Sequence, residues 1–191
     1  MQRRPLLFAA AALPWLGGAV DAAPTEEARV ALAGLRAGRV AVLLRHALTD
    51  PGVGDPPGFH IDECATQRQL SSAGRDQAQR IGAWFVQHRL RPDAVRSSAW
   101  CRCLETAMLA FQRVQVWPAL NSFFDDRSVQ MAQSTALRQA LETLAGGFEV
   151  WVTHQVNISA LTGESVAMGE AWVVRAAQGK VHNLARLRFD R

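Results

Sequence analysis

A chain of 191 residues, 49% of them hydrophobic, is long enough for one domain with a well-filled core and too short for several. The formal net charge of +4 rests on arginine, since Lys180 is the single lysine. The arginines are scattered and do not alternate with aromatic residues, so the composition argues against a nucleic-acid surface, and no internal repeat or low-complexity tract is present.

The first 22 residues have the pattern of an export signal. Arg3 and Arg4 precede an apolar stretch at 6–20, and the Val-Asp-Ala sequence at 20–22 has the small-x-small pattern of a cleavage site. The stretch is short and interrupted by Pro and Gly, so we expect no stable membrane insertion and a protein that is periplasmic or secreted. General secretory and twin-arginine export both remain open. Residues 23–191 would form a single domain.

Strands and helices alternate along the rest of the chain. The apolar pattern and the turn residues predict strands at 39–45, 94–98, 114–116 and 148–153, and helices at 24–38, 71–90, from about 99, 130–144 and 157–161. Two further strands, 170–176 and 181–189, are joined by 177–180, which predicts an antiparallel hairpin at the carboxyl end of the chain.

The first predicted strand ends in two residues suited to phosphate chemistry. Residues 40–44 are all apolar, which is typical of a central strand buried on both faces, and Arg45 and His46 follow. Ligands of open α/β sheets bind at the carboxyl ends of strands, arginine grips phosphate bidentately, and histidine can act as a nucleophile near neutral pH. The Pro/Gly-rich residues 50–58 predict a loop at the rim of such a site. Taken alone, an Arg-His pair is more simply a surface dipeptide.

Two more predicted strand ends carry similar residues. Ser97 and Ser98 end one strand, and Arg102 lies in the first turn of the next helix, where free backbone N–H groups attract anions. His154 follows the strand 148–153 directly, just before another helix. By itself, Arg102 could also be a solvated helix residue.

The three cysteines, Cys64, Cys101 and Cys103, predict one disulfide if the chain is exported. Cys64 would pair with either Cys101 or Cys103, and one thiol would be left over. The Cys-x-Cys spacing is too close for the usual zinc or redox motifs, and His60 and Asp62 beside Cys64 lack further partners, so we expect no metal site.

In their order along the chain, these motifs resemble the histidine phosphatase superfamily, and within it the phosphoglycerate-mutase-like branch. The resemblance covers about 39–189 and includes Leu70-Ser71 with Gly74, Gln77 and Ala78 between the first two motifs. It implies an α/β fold, a three-layer α/β/α sandwich with a mostly parallel central sheet, to which the predicted hairpin would be added.

The resemblance also implies roles for individual residues. His46 matches the nucleophile that takes the phosphoryl group, Arg45 and Arg102 match the clamp on its oxygens, and His154 matches the second imidazole of the pocket. We expect a backbone hydrogen bond to hold the tautomer of His46 so that one ring nitrogen stays free. No cofactor and no metal are implied, because the arginines stabilise the charge.

The chain departs from the family pattern in three places. Ala47 replaces the usual Gly after Arg-His, and Ala99 stands where Pro often follows the two serines. More important, Ser122 occupies the position of the glutamate that protonates the leaving group. Asp125 is our slightly preferred substitute, Asp126 is the alternative, and the acid could also be absent. The other large branch has an aspartate after the second histidine, where this chain has Gln155.

The motifs together predict an exported phosphatase that hydrolyses a phosphomonoester, or a related phosphorylated biomolecule, through a phosphohistidine on His46. The expected partner is a phosphorylated substrate and not nucleic acid. A cell-envelope glycan or lipid is one candidate, since the small size and export signal resemble phosphatases of lipopolysaccharide core heptose phosphates. A phosphate-binding relative without turnover and, with less support, a phosphomutase remain alternatives.

Overall fold

The predicted order of strands and helices is confirmed. The computed structural model describes residues 25–52 and 54–189, and the predicted export signal at 1–22 lies outside them. The described residues form β1 (Val40–Arg45), β2 (Ala94–Ser97), β3 (Gln115–Val116), β4 (Phe148–Thr153), β5 (Ala171–Ala177) and β6 (Lys180–Leu187). The helices are α1 (Glu26–Ala37), α2 (Ser72–Gln87), α3 (Cys101–Phe111), α4 (Gln130–Thr143) and α5 (Gln155–Thr162).

The strands form one mixed sheet in the order β3-β2-β4-β1-β5-β6. The four strands from β3 to β1 run parallel, while β5 pairs antiparallel with β1, and β6 pairs antiparallel with β5. The expected mostly parallel sheet with an antiparallel hairpin at the carboxyl end is therefore present. Because β2, β4 and β1 are adjacent and parallel, their carboxyl ends lie along the same edge of the sheet.

The central strand β1 is covered by helices on both faces. Val40, Val42 and Leu44 pack into a cluster with buried residues of α1, α2 and α3, whereas Ala41 and Leu43 pack with residues of α4 and α5. This alternation follows from the period of two along a strand and produces the expected three layers. Each fully buried large apolar side chain contributes about 1.5–3 kcal/mol to stability.

Most helix boundaries differ from the predicted ones by one to three residues, and the end of α2 and the start of α5 are two examples. Helix α2 ends at Gln87, before residue 90, because Arg89 adopts a positive φ of 54° and the N–H of Leu90 turns back to the carbonyl of Phe85. Helix α5 begins at Gln155 rather than at 157, so His154 becomes its N-cap residue. Among the described residues, no helix is long and apolar enough to cross a membrane.

The disulfide joins Cys64 to Cys101, with 5.6 Å between their Cα atoms, and Cys103 is the buried free thiol. The bond connects the short 3₁₀ helix Cys64–Thr66 to the first residue of α3. This 3₁₀ helix lies in the loop between β1 and α2, so the disulfide holds that loop next to Arg102. The sequence did not show whether Cys101 or Cys103 pairs with Cys64, and the positions of the two cysteines in α3 decide this.

Candidate active site

The two histidines meet because β1 and β4 are paired in register. Arg45 lies opposite Thr153 at the ends of these strands, and the backbone N–H of His46 donates to the carbonyl of Thr153 at 3.1 Å. The next residue of each strand is therefore a histidine on the same edge of the sheet. The ring centroids of His46 and His154 lie 5.5 Å apart with an interplanar angle of 65°.

The ring of His46 is oriented by its own backbone neighbourhood. Its Nδ1 lies 2.9 Å from the carbonyl oxygen of Ala47, and because a carbonyl can only accept, Nδ1 carries the proton and Nε2 holds the free lone pair. This is the expected backbone hydrogen bond. The pKa of His46 is lowered to about 3, mainly by burial and also by the charges of Arg102, Arg45 and Arg68, while the hydrogen bond to Ala47 opposes the shift. His46 is therefore a neutral imidazole at pH 7.

The ring of His154 is held from both sides. Its Nε2 lies 2.8 Å from Oγ of Ser98, and its Nδ1 lies 3.4 Å from Nη2 of Arg102. A guanidinium can only donate, so Nδ1 is the acceptor and the Nε2–H donates to the serine hydroxyl. Burial lowers the pKa of His154 well below its usual value, and the nearby His46 and Arg102 add to this effect.

The two predicted arginines both reach this pocket. Nη1 of Arg45 donates to the carbonyl of Val166 at 2.9 Å, and Arg102 is buried in the first turn of α3. The Nε atoms of Arg45 and Arg102 are buried and have no hydrogen-bond partner in the described part of the protein. A buried N–H without a partner is costly, and a tetrahedral oxyanion would supply the missing acceptors.

A third guanidinium, Arg68, was not predicted. Its charge lowers the pKa of His46, and it also lowers the pKa of Arg45 after the larger effect of burial. Its Nη1 donates to the carbonyl of Gly52 at 2.7 Å, and its Nε is also buried without a partner within 25–52 and 54–189. The only sequence signal was its place just before the Leu70-Ser71 motif.

A buried carboxylate, Asp55, was also not predicted. Its Oδ1 accepts from Nη1 of Arg102 at 2.7 Å and from the backbone N–H of Arg68 at 3.0 Å, and its Oδ2 accepts from Nε1 of Trp100 at 2.9 Å. Burial raises the pKa of Asp55, but these hydrogen bonds and the Arg102 charge outweigh it and hold the pKa below the usual value. In the sequence Asp55 resembles an ordinary turn residue of a Pro/Gly-rich loop.

The candidate general acid Asp125 makes no polar contact with the described residues of this pocket. Asp125 is exposed, and it makes no hydrogen bond or ion pair with any residue that the structure describes. Asp126 is exposed as well, and its Oδ1 accepts from the N–H of Ser128 as an N-cap at 2.9 Å. The role of Asp125 therefore stays a prediction.

The pocket combines three cationic groups, one carboxylate and two neutral imidazoles. In the described ranges, no group of three or more His, Cys, Asp or Glu residues could hold a metal ion. Arginines around a neutral histidine with a free Nε2 can orient a phosphoryl group and stabilise its charge while the imidazole attacks phosphorus. Phosphoryl transfer is thus the chemistry that the arrangement can perform.

Comparisons with known proteins agree with this chemistry. The family described as histidine phosphatase superfamily (branch 1) matches residues 41–186, whereas a comparison with curated protein sequences finds none that matches. The structure is similar to an α-ribazole phosphatase from Shigella flexneri, with 17% identity, a TM-score of 0.56, and coverage of 78% of this chain and 96% of that chain.

Two further solved structures share the fold. A phosphoglycerate mutase from Thermus thermophilus is 21% identical, with a TM-score of 0.52 and coverage of 79% and 99% of the two chains. The protein histidine phosphatase SixA, in complex with tungstate, is 15% identical, with a TM-score of 0.56 and coverage of 78% and 97%. Since the family match spans most of the sequence, the chain belongs to the histidine phosphatase superfamily (branch 1).

Proposed function

We propose that this protein is an exported phosphatase that hydrolyses a phosphomonoester through a phosphohistidine on His46. The observation that carries the proposal is the Nδ1 hydrogen bond of His46 to Ala47, because it leaves Nε2 unprotonated in a pocket of arginines. Family membership supports a phosphatase or mutase type of enzyme, and the SixA structure holds tungstate, which is a tetrahedral oxyanion like phosphate.

In the proposed mechanism the arginines hold the phosphoryl oxygens while Nε2 of His46 attacks phosphorus. His154, whose Nδ1 accepts from Arg102, helps to keep that guanidinium in place. The P–O bond to the alcohol breaks, the leaving oxygen takes a proton from solvent or from the candidate acid Asp125, and the phosphoryl group stays on Nε2 of His46. Water then attacks phosphorus, the P–N bond breaks with its electron pair returning to Nε2 of His46, the attacking water gives up a proton to solvent, and inorganic phosphate leaves. Two displacements replace one difficult hydrolysis, and the guanidinium groups stabilise the charge in both.

We further propose that the natural substrate is a phosphorylated cell-envelope glycan or lipid, of the kind found in the lipopolysaccharide core. The support is the export pattern at 1–22 and the resemblance to heptose-phosphate phosphatases, not the pocket itself. Mass spectrometry of the protein from the periplasmic fraction should show a chain that begins at Ala23. A chain that keeps residues 1–22 in the cytoplasm would refute the export proposal.

The central experiment compares hydrolysis of p-nitrophenyl phosphate by wild type, His46→Ala and His46→Asn. We expect turnover by wild type and a loss of several orders of magnitude in both variants, together with a phosphoryl group trapped on His46 after rapid quenching. The exposed His60→Ala is the matched control and should retain activity. Equal rates in wild type and the His46 variants would remove His46 from the mechanism.

One observation favours a second candidate, a phosphate-binding relative without turnover. Ser122 stands where the family places the glutamate, and Asp125 is exposed. Such a protein would bind inorganic phosphate or vanadate but hydrolyse neither aryl nor alkyl phosphates at any pH. A phosphomutase, which must retain its phosphoryl group against water, has less support because it also needs the acid.

A further inference from the structure

The carboxylate of Asp55 is buried inside the cationic pocket. The side chains of Asp55 and Arg102 are 3% and 4% exposed, respectively, so their ion pair is shielded from water. Both carboxylate oxygens accept hydrogen bonds, from the Arg102 guanidinium, the Arg68 backbone and the Trp100 indole. A carboxylate with this many donors is ionised and has strong directional bonds, so it can fix the groups around it.

The hydrogen bonds of Arg102 fix the orientation of its guanidinium. Nη1 donates to Asp55 at 2.7 Å and Nη2 lies 3.4 Å from Nδ1 of His154, while Nε is buried without a partner in the described structure. Because the guanidinium is planar, two anchored nitrogens set the orientation of the whole group. The Nε–H and the second hydrogens of Nη1 and Nη2 are then the donors that Arg102 can offer to a phosphoryl oxygen.

Prolines and hydrogen bonds restrict the loop that carries Asp55. Asp55 precedes Pro56 and Pro57, whose rings restrict the backbone, and the N–H of Phe59 closes a turn to the carbonyl of Pro56 at 3.2 Å. Further along the loop, the buried Gln67 accepts from the backbone N–H of Cys101 at 3.0 Å and donates to the carbonyl of Ile61 at 2.8 Å.

We propose that Asp55 is a positioning residue for phosphoryl transfer: it holds the guanidinium of Arg102 and the segment of Arg68 in the geometry that the transition state requires. This inference rests on the phosphatase function proposed above. Asp55 acts through Arg102 and does not touch the reacting atoms. It is also not the proton donor, because both of its oxygens already accept hydrogen bonds and it has no proton to give.

Asp55→Asn should affect kcat and KM differently. The substitution removes a negative charge next to the substrate phosphate, so ground-state binding should not weaken and KM should stay constant or fall. The Asn side chain also has an NH₂ group where Asp55 has a second acceptor oxygen, so this group faces a hydrogen-bond donor that it cannot bind. Arg102 then loses its fixed orientation, and kcat should fall by about a hundredfold.

The experiment measures kcat and KM of wild type and Asp55→Asn on p-nitrophenyl phosphate and on an alkyl phosphate such as glycerol phosphate. We expect the same loss of kcat on both substrates, weaker binding of vanadate, and binding of inorganic phosphate that is unchanged or tighter. The matched control is Asp62→Asn, a charge removed from an exposed position of the same loop, which should match wild type in every measurement.

Two results would overturn the proposal. A loss of kcat confined to the alkyl phosphate would make Asp55 the proton donor, and an unchanged kcat would mean that Arg102 needs no positioning. If Asp55→Asn does not fold, Trp100→Phe removes one of the three hydrogen bonds to Asp55 and should reduce kcat severalfold, equally on both substrates. An unchanged kcat in this variant would also contradict the proposal.

The proposed function and this inference fail in different ways. If the wild type hydrolyses nothing, the phosphatase proposal is wrong, whereas the binding of vanadate and inorganic phosphate to wild type and Asp55→Asn still tests the positioning role. If the wild type turns over and both proteins bind vanadate equally well, the phosphatase proposal stands and the role of Asp55 is refuted.

Discussion

His46 and His154 lie in one buried pocket with their ring centroids 5.5 Å apart. Their side chains are almost inaccessible to water, and three arginine charges surround them. Burial lowers the pKa of His46 to about 3 and lowers the pKa of His154 well below its usual value. The free protein therefore holds two neutral imidazoles: His46, the proposed nucleophile, and His154, a hydrogen-bonding partner of Arg102.

The first prediction concerns the protonation of these rings. We expect no titration of His46 or His154 between about pH 7.5 and pH 5, although an exposed histidine titrates near pH 6.5. Ring proton and carbon chemical shifts in NMR spectra measure this directly, with assignments from His46→Asn and His154→Asn. A shift change of the His46 signals centred near pH 6.5 would contradict the neutral pocket.

The same pKa values make stability depend on pH. The unfolded chain protonates His46 near pH 6.5 and the folded chain only near pH 3, so the unfolded state binds more protons in between. The contribution of His46 is therefore complete above about pH 6.5 and is lost as the pH falls toward about 3. Urea unfolding from pH 7 to pH 4 should show a smaller decline for His46→Asn than for wild type.

The second prediction concerns the orientation of His154 by Ser98. Ser98→Ala removes the hydroxyl that accepts from Nε2 and leaves a buried N–H unpaired, which should cost about 1–3 kcal/mol of stability. The ring also loses its anchor, so kcat/KM on p-nitrophenyl phosphate should fall by about tenfold or more. Urea unfolding and steady-state kinetics measure the two effects.

Ser97→Ala is the control for Ser98→Ala. The Ser97 hydroxyl is equally buried, but it donates to the carbonyl of Ser98 at 2.9 Å and not to a proposed catalytic group. We expect a stability loss in Ser97→Ala with kcat/KM close to that of wild type. Similar kinetic losses in both variants would show that the effect of Ser98→Ala is only a general loosening of the fold.

The third prediction concerns the Cys64–Cys101 disulfide, which closes a loop with a sequence separation of 37 residues. Replacing both cysteines by serine should lower the free energy of unfolding by roughly 3–4 kcal/mol, mainly because the unfolded chain gains entropy. The variant should also have a lower kcat, because the loop with Asp55 and Arg68 is less firmly held. A reductant should destabilise wild type but leave the variant unchanged.

The fourth prediction concerns Asp125, the candidate proton donor. If the exposed segment of Asp125 closes over bound substrate, Asp125→Asn should lose rate on an alkyl phosphate and keep it on p-nitrophenyl phosphate, whose leaving group needs little help. Asp126→Asn is the neighbouring comparison. A loss of rate in Asp126→Asn alone would assign the role of general acid to Asp126. Equal rates in wild type and both variants would show that neither aspartate is the general acid.

Much of the fold could be predicted because its signals are local. The apolar runs that become β1 and β4, the turn residues of the β5–β6 hairpin and the caps of the helices are all readable along the chain. The ends of β1 and β4 placed His46 and His154 correctly beside each other, since parallel neighbouring strands end at one edge of the sheet. The placement of Arg102 in the first turn of a helix was also predicted from a local signal, because a strand ends at Ser97 and Ser98 and a helix follows it.

The sequence by itself therefore determined the order of strands and helices along the chain and, through the family resemblance, the three layers and four residues of the pocket. Periodicity and strand ends are properties of short segments, so they can be recognised without the tertiary structure. Only the tertiary structure decided that Asp55 and Arg68 enter the pocket, that Cys64 pairs with Cys101, and that Asp125 is exposed. These depend on the path of the loop between β1 and α2 and on the segment before α4. Neither has a regular repeat, and contacts between distant loops set their course.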